Sequence, residues 1–335
     1  MTPELPLAVP QMMRAAFIRQ TGSADQIEVG QLPVPVPMPD QALVHMRAAA
    51  VNHVDMFVRS GAYRTPLPFP FVIGRDLVGV VVRTGAEVRG FKRGDLVWCN
   101  SLGYAGRQGA FSQYAAISAD RLYRLPEGLD AVSTVALFHP AATAYLGLVR
   151  EAALQSTETV LVGGAGGAVG SAVVQLAVAL GAKVIATASA QDAEWCRNLG
   201  ATEVLDYRSP NLDQEIRAAA PDGVDVWWDT SGHHDFGTTI ERMRIGGRII
   251  VMAGLAAQTQ LPVGALYTRD VSLLGFAISN AKTADLATAA KTINRLLATN
   301  QLRGRIGQVF SLKDAAQAHR ALEAGGITGS IVVTA

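Results

Sequence analysis

Glycines at positions 164, 167 and 170 follow a short apolar run, and their spacing suits a loop that binds phosphate groups. Glycine has no Cβ, so the backbone can turn sharply there and approach a phosphate closely. Residues 160–163 are typical of a buried strand, and the apolar run Val169–Leu180 predicts a helix. The first turn of a helix offers free N–H groups and a positive dipole end to an anion. The pattern predicts a dinucleotide pyrophosphate site formed by Gly164, Gly167, Ala168, Val169 and Gly170.

The composition limits the class of protein. The chain has 335 residues, 49% of them hydrophobic and 17% charged, with a net charge of +1. This length predicts two domains, and the balanced charge argues against a nucleic-acid or membrane surface. Cys99 and Cys196 are too few for a four-thiolate zinc site. No apolar stretch reaches the roughly 18–20 residues of a membrane span, and the first residues lack a signal-peptide pattern. We expect a cytoplasmic protein.

Two rhythms divide the chain. Residues 14–125 carry short apolar runs separated by Gly, Asp and Pro, which is typical of a folded-over β domain. Residues 158–276 alternate strands and helices, which predicts a parallel sheet with helices on both faces. Its predicted strands are Thr159–Val162, Lys183–Thr187, Glu203–Tyr207, Asp225–Asp229 and Arg248–Ala253. The tail carries a predicted helix at Thr283–Thr299, a second helix that opens near residues 311–314 and a strand at Ser330–Thr334, and we assign it to the β domain.

Val271–Phe276 is a further apolar run outside the strand–helix rhythm. Its β-branched and aromatic residues are compatible with a strand. We expect it to lie at the edge of the parallel sheet and to pair two copies of the chain into a homodimer.

Three motifs resemble those of a known family. Val51–Tyr63 contains the pattern N-x-x-D…R-S-G-x-Y, residues 70–81 contain P-x-x-x-G-x-[DE]-x-x-G-x-V, and residues 94–97 read G-D-x-V. Jointly they resemble the zinc-free quinone oxidoreductases of the medium-chain dehydrogenase/reductase superfamily, which are relatives of zeta-crystallin. The resemblance runs from about residue 14 to the C-terminus.

The resemblance implies an α/β fold in which a Rossmann doubly wound parallel sheet is inserted into a GroES-like β-rich catalytic domain. The catalytic domain is expected at residues 1–138 and 276–335, and the Rossmann domain at 139–275. NADPH is expected in the cleft between them. The expected reaction is hydride transfer to a quinone or to the C=C bond of an α,β-unsaturated carbonyl compound.

The resemblance also implies that zinc is absent. The zinc-dependent branch has Cys where this chain has Asn52, and Gly-His-Glu where it has Gly74-Arg75-Asp76. Asn and Arg are poor zinc ligands, and Arg is a permanent cation. The third ligand position falls near His139, which could bind metal in isolation, but a lone His in an apolar run is more often a hydrogen-bonded packing residue.

Other groups must then polarise the acceptor carbonyl. Asn52 can donate through its amide, and the resemblance implies that Tyr63 donates through its phenol. Asp55 is expected to orient its neighbours, and His139 to face the nicotinamide. The alternative is that Asn52 forms a turn and Tyr63 is a surface aromatic residue.

The residues after the second predicted strand bear on the choice of cofactor. NAD enzymes place an acidic residue at that strand end, whereas this chain has Thr187 and Ser189, which favours NADPH. The phosphate-binding Lys of the family is missing, because its position falls on Asp192 or Ala193. Tyr207 and Arg208 resemble a phosphate-side motif of the family, so we expect Arg208 to supply the charge. NADH remains the alternative.

Strand ends supply the remaining expected cofactor contacts, because ligands bind at the carboxyl ends of parallel strands. We expect Ser231 and Gly254 at the dinucleotide, and Thr143 and Phe276 beside the nicotinamide. Two other functions stay open. One is a zinc-type alcohol dehydrogenase. The other is a non-catalytic NADPH-binding protein similar to lens crystallins, since a cofactor fold does not prove turnover.

Overall fold

A computed structural model describes residues 8–335 of the chain. The chain forms two compact units. The first consists of residues 8–139, Lys282–Ala298 and Arg303–Ala335, and the second of Pro140–Ala281 and Thr299–Leu302. The predicted boundaries differ from this division at both ends of the insertion. His139 belongs to the first unit, and the chain returns to the first unit at Lys282 rather than at 276. Phe276 stays in the second unit because its ring packs edge-on against Trp228, with centroids 6.0 Å apart.

The N-terminal stretch is mostly strand. Its elements are β1 (Met12–Ile18), β2 (Glu28–Pro33), β3 (Gln41–Val51), α1 (His53–Ser60), β4 (Phe71–Val72), β5 (Asp76–Thr84), β6 (Leu96–Cys99), β7 (Tyr114–Ser118), β8 (Tyr123–Arg124), α2 (Ala131–Val135) and α3 (Phe138–Tyr145).

The middle stretch alternates strands and helices. Its elements are a π-helical segment (Leu146–Glu151), β9 (Thr159–Gly163), α4 (Ala168–Ala179), β10 (Lys183–Ala188), α5 (Ala193–Asn198), β11 (Glu203–Asp206), α6 (Leu212–Ala219), β12 (Val224–Asp229), α7 (Phe236–Arg242), β13 (Met243–Val251), α8 (Val263–Thr268) and β14 (Ser272–Gly275). The C-terminal stretch contains α9 (Thr283–Ala298), β15 (Ile306–Ser311), α10 (Ala315–Ala324) and β16 (Ser330–Thr334).

The first unit is built on two sheets. A small sheet has the order β2-β1-β4, and a larger one has the order β15-β16-β3-β5-β6-β8, with β7 also paired to β3. The C-terminal strand β16 pairs antiparallel with β3, so both ends of the chain contribute to one sheet. Side chains of several strands and of α10 form its core, among them Met46, Leu77, Phe111, Ala318 and Ile331.

The second unit contains a six-stranded sheet in the order β11-β10-β9-β12-β13-β14, and every pair in it is parallel. This is the strand order of the dinucleotide-binding doubly wound fold, and the fold prediction is confirmed. Val160 and Val162 of β9 have no exposed surface, because helices cover both faces of a parallel sheet. The run predicted at 271–276 forms β14. It follows α8, so it continues the strand–helix rhythm instead of standing outside it.

One largely helical stretch is as long as a membrane span. Residues Ala131–Glu151 comprise α2, a two-residue turn, α3 and the π-helical segment. By length and composition this 21-residue stretch would permit a membrane span, and it is the single such stretch within residues 8–335. The prediction considered only unbroken apolar runs, whereas polar residues such as Ser133 and His139 interrupt this one. Within the fold, 78% of its apolar window is buried, as in the core helix of a folded domain.

Candidate active site

Asn52 and Asp55 stand at the start of α1 and fix its first turn. Asn52 is the N-cap, with extended backbone angles (φ −112°, ψ 153°), as N-cap residues prefer. The Asp55 carboxylate accepts a hydrogen bond from the backbone N–H of Asn52 at 2.8 Å, which is one half of a capping box. The amide nitrogen of the Asn52 side chain, which the capping box does not use, has another partner.

That partner is Asp76, the first residue of β5. Asn52 Nδ2 donates to Asp76 Oδ2 at 3.1 Å. The backbone N–H of His139 donates to the same oxygen at 3.3 Å. The other carboxyl oxygen of Asp76, Oδ1, is buried with no hydrogen-bond partner within the described residues. Three distant parts of the first unit therefore meet at one carboxyl group. We call Asn52, Asp55, Arg75, Asp76 and His139 the Asn52–Asp76 cluster.

Burial determines the charges of this cluster. Asp55, Arg75 and Asp76 are 4%, 1% and 0% exposed. Burial raises the pKa of Asp55 from 3.8 to about 7, although the Asn52 N–H and the Arg75 charge act in the opposite direction. Burial and the nearby Asp55 charge raise the pKa of Asp76 well above 3.8. One guanidinium faces two carboxyl groups, so the pair favours holding a proton.

Tyr63 lies just beyond α1 and stacks on a second tyrosine. The rings of Tyr63 and Tyr104 are 5.6 Å apart at 19°. The Arg75 guanidinium lies 5.3 Å from the centre of the Tyr104 ring, within the range of a cation–π contact. Burial, and then a hydrogen bond with Tyr63, raise the pKa of Tyr104. The two phenols and the buried cation thus form one connected group.

His139 is held by its neighbours in the first unit. The Phe138 ring stacks on Trp98 at 4.0 Å and 9°, and Asn100 Nδ2 donates to the Phe138 carbonyl at 3.1 Å. Burial, aided by the Arg75 charge, lowers the pKa of His139 to about 3. The imidazole is therefore uncharged at neutral pH.

The glycine-rich loop of the second unit fits a dinucleotide. Gly164 has φ +69°, a conformation that other residues rarely adopt. A Cβ on Gly170 would lie 2.2 Å from the Gly164 carbonyl oxygen, so a larger residue is excluded. Gly167 is the N-cap of α4, and the helical hydrogen bonds begin with Ser171 N–H to Gly167 O at 2.8 Å. The amides of Ala168, Val169 and Gly170 are in the first turn, where N–H groups lack helical partners and bind anions.

The ends of β10 and β11 lie side by side. Ala188 pairs with Asp206 in the parallel ladder, which places Ser189 and Tyr207 at neighbouring strand ends. Thr187 is buried, and its carbonyl accepts a hydrogen bond from Ala165 of the glycine-rich loop at 3.0 Å. Arg208 is exposed, and its guanidinium lies 4.6 Å from the centre of the Tyr207 ring. The structure thus brings these predicted cofactor residues to one edge of the sheet.

Ser231 and Gly254 follow β12 and β13 at the same edge. The Ser231 N–H and hydroxyl donate to the Asp229 carboxylate at 2.7 and 2.9 Å, so Asp229 fixes this loop. A Cβ on Gly232 would lie 2.8 Å from the Gly254 nitrogen, which shows that the two loops touch. Thr143 is buried in α3, and Phe276 directly follows β14. The structure places these residues in the second unit without testing their roles.

Sequence reasoning missed three members of the first-unit site. Arg75 and Asp76 served only as an argument against zinc, and Tyr104 was not singled out. The signal for Arg75 was its charge inside the apolar run 71–82, since a cation there needs a buried partner. Among residues 8–335, no three His, Cys, Asp or Glu side chains are grouped to hold a metal ion.

Comparisons with known proteins agree with this architecture. The family model for alcohol dehydrogenase GroES-like domains matches residues 38–127, and the model for zinc-binding dehydrogenases matches residues 168–295. A crystal structure of an NAD-dependent alcohol dehydrogenase superposes with a TM-score of 0.88 at 32% identity, covering 96% of this chain and 100% of that one. The GroES-like and Rossmann parts of the fold prediction are confirmed.

Two characterised relatives narrow the family. Quinone oxidoreductase of Mus musculus is 30% identical over 329 residues, which covers 96% of this chain and 98% of that protein. A chloroplastic NADPH-dependent alkenal/one oxidoreductase of Arabidopsis thaliana is 33% identical over 255 residues, covering 74% of this chain and 64% of that protein. The chain therefore belongs to the quinone oxidoreductase branch of the medium-chain dehydrogenase/reductase superfamily and is an oxidoreductase enzyme of that type.

Proposed function

We propose that this enzyme is a zinc-independent, nicotinamide-dependent reductase of quinones or of the C=C bond of α,β-unsaturated carbonyl compounds. The observation that carries the proposal is the Asn52–Asp76 cluster, because its buried cation and oriented amide can polarise a carbonyl group without a metal. The names of the relatives, a quinone oxidoreductase and an alkenal/one oxidoreductase, support the same substrate classes.

The donor set of the cluster does not suit zinc. The positions that correspond to metal ligands hold Asn52, Arg75 and His139, and only the imidazole is a common zinc ligand. The Arg75 guanidinium is a fixed cation that would repel a divalent ion. The Arg75 side chain is almost completely buried within the cluster, so a zinc ion could bind there only by displacing the guanidinium.

Asn52 is suited to bind the acceptor carbonyl oxygen. Asp76 accepts one N–H of its amide at 3.1 Å, and this hydrogen bond fixes the plane of the carboxamide. The second N–H of the amide is then oriented to donate to a substrate oxygen. Because the donor is positioned before the reaction, it stabilises negative charge as that charge develops.

Arg75 and Tyr63 complete the electrostatic environment. The Arg75 charge, buried in low-dielectric surroundings, stabilises an enolate or quinol oxygen more strongly than it would in water. Tyr63 can donate its phenolic proton to that oxygen or, in enone reduction, compete with water as the proton source for the α carbon. When bound, a reduced nicotinamide would supply the hydride.

The glycine-rich loop, α4 and the strand ends of the second unit are expected to hold the dinucleotide. Gly164, Gly167 and Gly170 give the phosphates close access to the backbone, and the α4 N-terminus offers N–H donors. Both cofactor types occur among the relatives by name, since one is NADPH-dependent and one structural relative is NAD-dependent.

We also propose that two copies of the chain pair along β14. Within residues 8–335 this strand is hydrogen-bonded to β13 alone, so its outer edge has open N–H and C=O groups that can template a second strand. Ile245 and Tyr267 are 69% exposed, as residues of an interface are in the separated subunit. Light scattering after gel filtration tests this proposal, and a monomer at micromolar concentration would refute it.

Turnover assays test the proposed function. The purified protein is given NADH or NADPH with 1,4-benzoquinone, an alkenal or a cyclic enone, with and without a chelator. We expect reduction of at least one acceptor and no effect of the chelator. Oxidation of a simple alcohol that requires added zinc would favour the zinc-type alcohol dehydrogenase. Tight cofactor binding with no turnover across the panel would favour a non-catalytic role.

A further inference from the structure

Asp192 occupies a position that selects between the two nicotinamide dinucleotides. We propose that Asp192 makes this enzyme prefer NADH over NADPH, with its carboxylate accepting hydrogen bonds from the adenosine ribose hydroxyls. The inference rests on the proposed function, because it assumes that a dinucleotide binds at the glycine-rich loop. It reverses the expectation of NADPH that the sequence suggested.

The contacts of Asp192 place its carboxylate beside that loop. Asp192 follows β10, in the turn that leads into α5. Ser189, which directly follows β10, donates its hydroxyl to Asp192 Oδ2 at 3.0 Å. The same Oδ2 lies only 2.6 Å from the point where a Cβ of Gly166 would be. The carboxylate therefore spans the end of β10 and the loop between β9 and α4.

This position matches the chemistry of a ribose rather than of a phosphate. In dinucleotide-binding folds, a carboxylate about 20 residues after the glycine motif binds the 2′-hydroxyl of NAD, and NADP enzymes place a cation nearby instead. Asp192 lies 22 residues after Gly170. A 2′-phosphate would bring about −2 charges against the Asp192 carboxylate. Ser189 cannot offset this, because its hydroxyl proton is already directed to Asp192.

Arg208 is the cation that could rescue NADPH binding, and its surroundings are unfavourable. Its guanidinium lies over the Tyr207 ring, and its backbone N–H donates to Asp206 Oδ1 at 2.9 Å. The ends of β10 and β11 thus carry two carboxylates, Asp192 and Asp206, and one guanidinium. The formal charges of these three groups add up to −1, and this net negative charge opposes the binding of an additional phosphate.

Direct binding measurements test the inference without relying on catalysis. The full-length protein is titrated with NADH and with NADPH in a calorimeter at 0.1 M salt, since electrostatic discrimination depends on ionic strength. We expect the Kd for NADH to be about 10- to 100-fold lower, where each tenfold step corresponds to about 1.4 kcal/mol. Competition by AMP and by 2′,5′-ADP isolates the ribose contact from the rest of the dinucleotide.

Three variants locate the effect. Asp192→Asn should bind NADPH more tightly and reduce the ratio of the two Kd values to about 3 or less, and Asp192→Lys should invert the preference. Glu194→Gln is the matched control, because Glu194 is an exposed acid two residues further along the same segment and its removal changes the net charge equally. We expect it to leave the ratio within about twofold. Melting temperatures verify that each variant is folded.

Each outcome separates the inference from the proposed function. Tighter binding of NADPH by the unmodified protein, lost selectively in Arg208→Ala, would overturn the role of Asp192 and leave a reductase that uses NADPH. An equal change of the ratio in Asp192→Asn and Glu194→Gln would also overturn it. Failure to bind either dinucleotide would refute the proposed function itself.

Discussion

Replacing Asp55 by Asn should make the enzyme more stable at alkaline pH. Asp55 is buried, and its pKa in the folded chain is about 7 against an ordinary value of 3.8. A difference of this size corresponds to about 4 kcal/mol of unfavourable free energy when the carboxylate is ionised in the folded state. Asn retains an acceptor for the Asn52 N–H, which now bonds to Asp55 at 2.8 Å, so the start of α1 is preserved.

The sign of the pH dependence follows from the raised pKa. Below about pH 4 the carboxyl is protonated in both the folded and the unfolded chain, and it contributes no pH dependence. Between about pH 4 and 7 the unfolded chain loses its proton first, so the wild-type enzyme loses stability as pH rises. Above about pH 7 the carboxyl group is ionised in both states, so the wild-type enzyme loses no further stability from this group. The stability advantage of Asp55→Asn should therefore grow from pH 4 to 7 and then stay constant.

Thermal melting at pH 5, 6, 7 and 8 measures this difference. We expect the variant to melt about 2–8 °C above the wild type at pH 8, because removing the buried charge gains roughly 1–4 kcal/mol and each kcal/mol raises the melting temperature by about 2 °C. Asp40→Asn removes an exposed carboxylate of the same unit and should show no such trend. If the melting temperatures of Asp55→Asn and of the wild type change in parallel with pH, the argument that burial raises the pKa of Asp55 is refuted.

Three further results are expected. Tyr63→Phe should lower kcat/KM for the best acceptor by about tenfold to a thousandfold, as for loss of a transition-state donor, with dinucleotide affinity unchanged; equal kinetics would remove the phenol from the mechanism. Gly170→Ala should weaken dinucleotide binding at least about tenfold and lower the free energy of unfolding by about 1–3 kcal/mol, because the new Cβ would lie 2.2 Å from the Gly164 carbonyl oxygen. The control Gly264→Ala places its Cβ in open space and should change neither quantity. His139→Gln should leave the shape of the pH–rate profile intact between pH 5 and 8, since the pKa of His139 is about 3; loss of a limb of that profile would contradict a neutral imidazole.

The sequence predicted the dinucleotide fold well because local constraints dominate there. The glycines at 164 and 170 are required by a positive φ and by a backbone contact within the same loop, so their spacing is visible in the chain. The start of β13 was predicted five residues late, at Arg248 instead of Met243. Gly246 and Gly247 lie within this strand, which continues through them with a shift of register against β12.

The first-unit site was less predictable because distant residues build it. Asn52 is 24 residues from Asp76, and Asp76 is 63 residues from His139. Hydrophobic periodicity in the sequence cannot predict hydrogen bonds between residues that lie so far apart in the chain. Asp192 illustrates a different limit, since counting along the chain located it but treated it as an absent lysine. Only its contacts with Ser189 and Gly166 indicate what a carboxylate can do there.

The pairing of β16 with β3 has a consequence for how the chain is made. Val51 and Ile331 are partners in the ladder although they are 280 residues apart. A ribosome that adds about 5–20 residues per second needs about 15 to 60 s between them. Throughout that interval the Ala48–Val51 end of β3 lacks its β16 partner, since β7 pairs with the other end of the strand at Gln41–His45. The inserted segment Pro140–Ala281 is made within the same interval. This unpaired strand end is therefore a place where nascent chains can aggregate, and a chaperone that shields it would raise the yield of native enzyme.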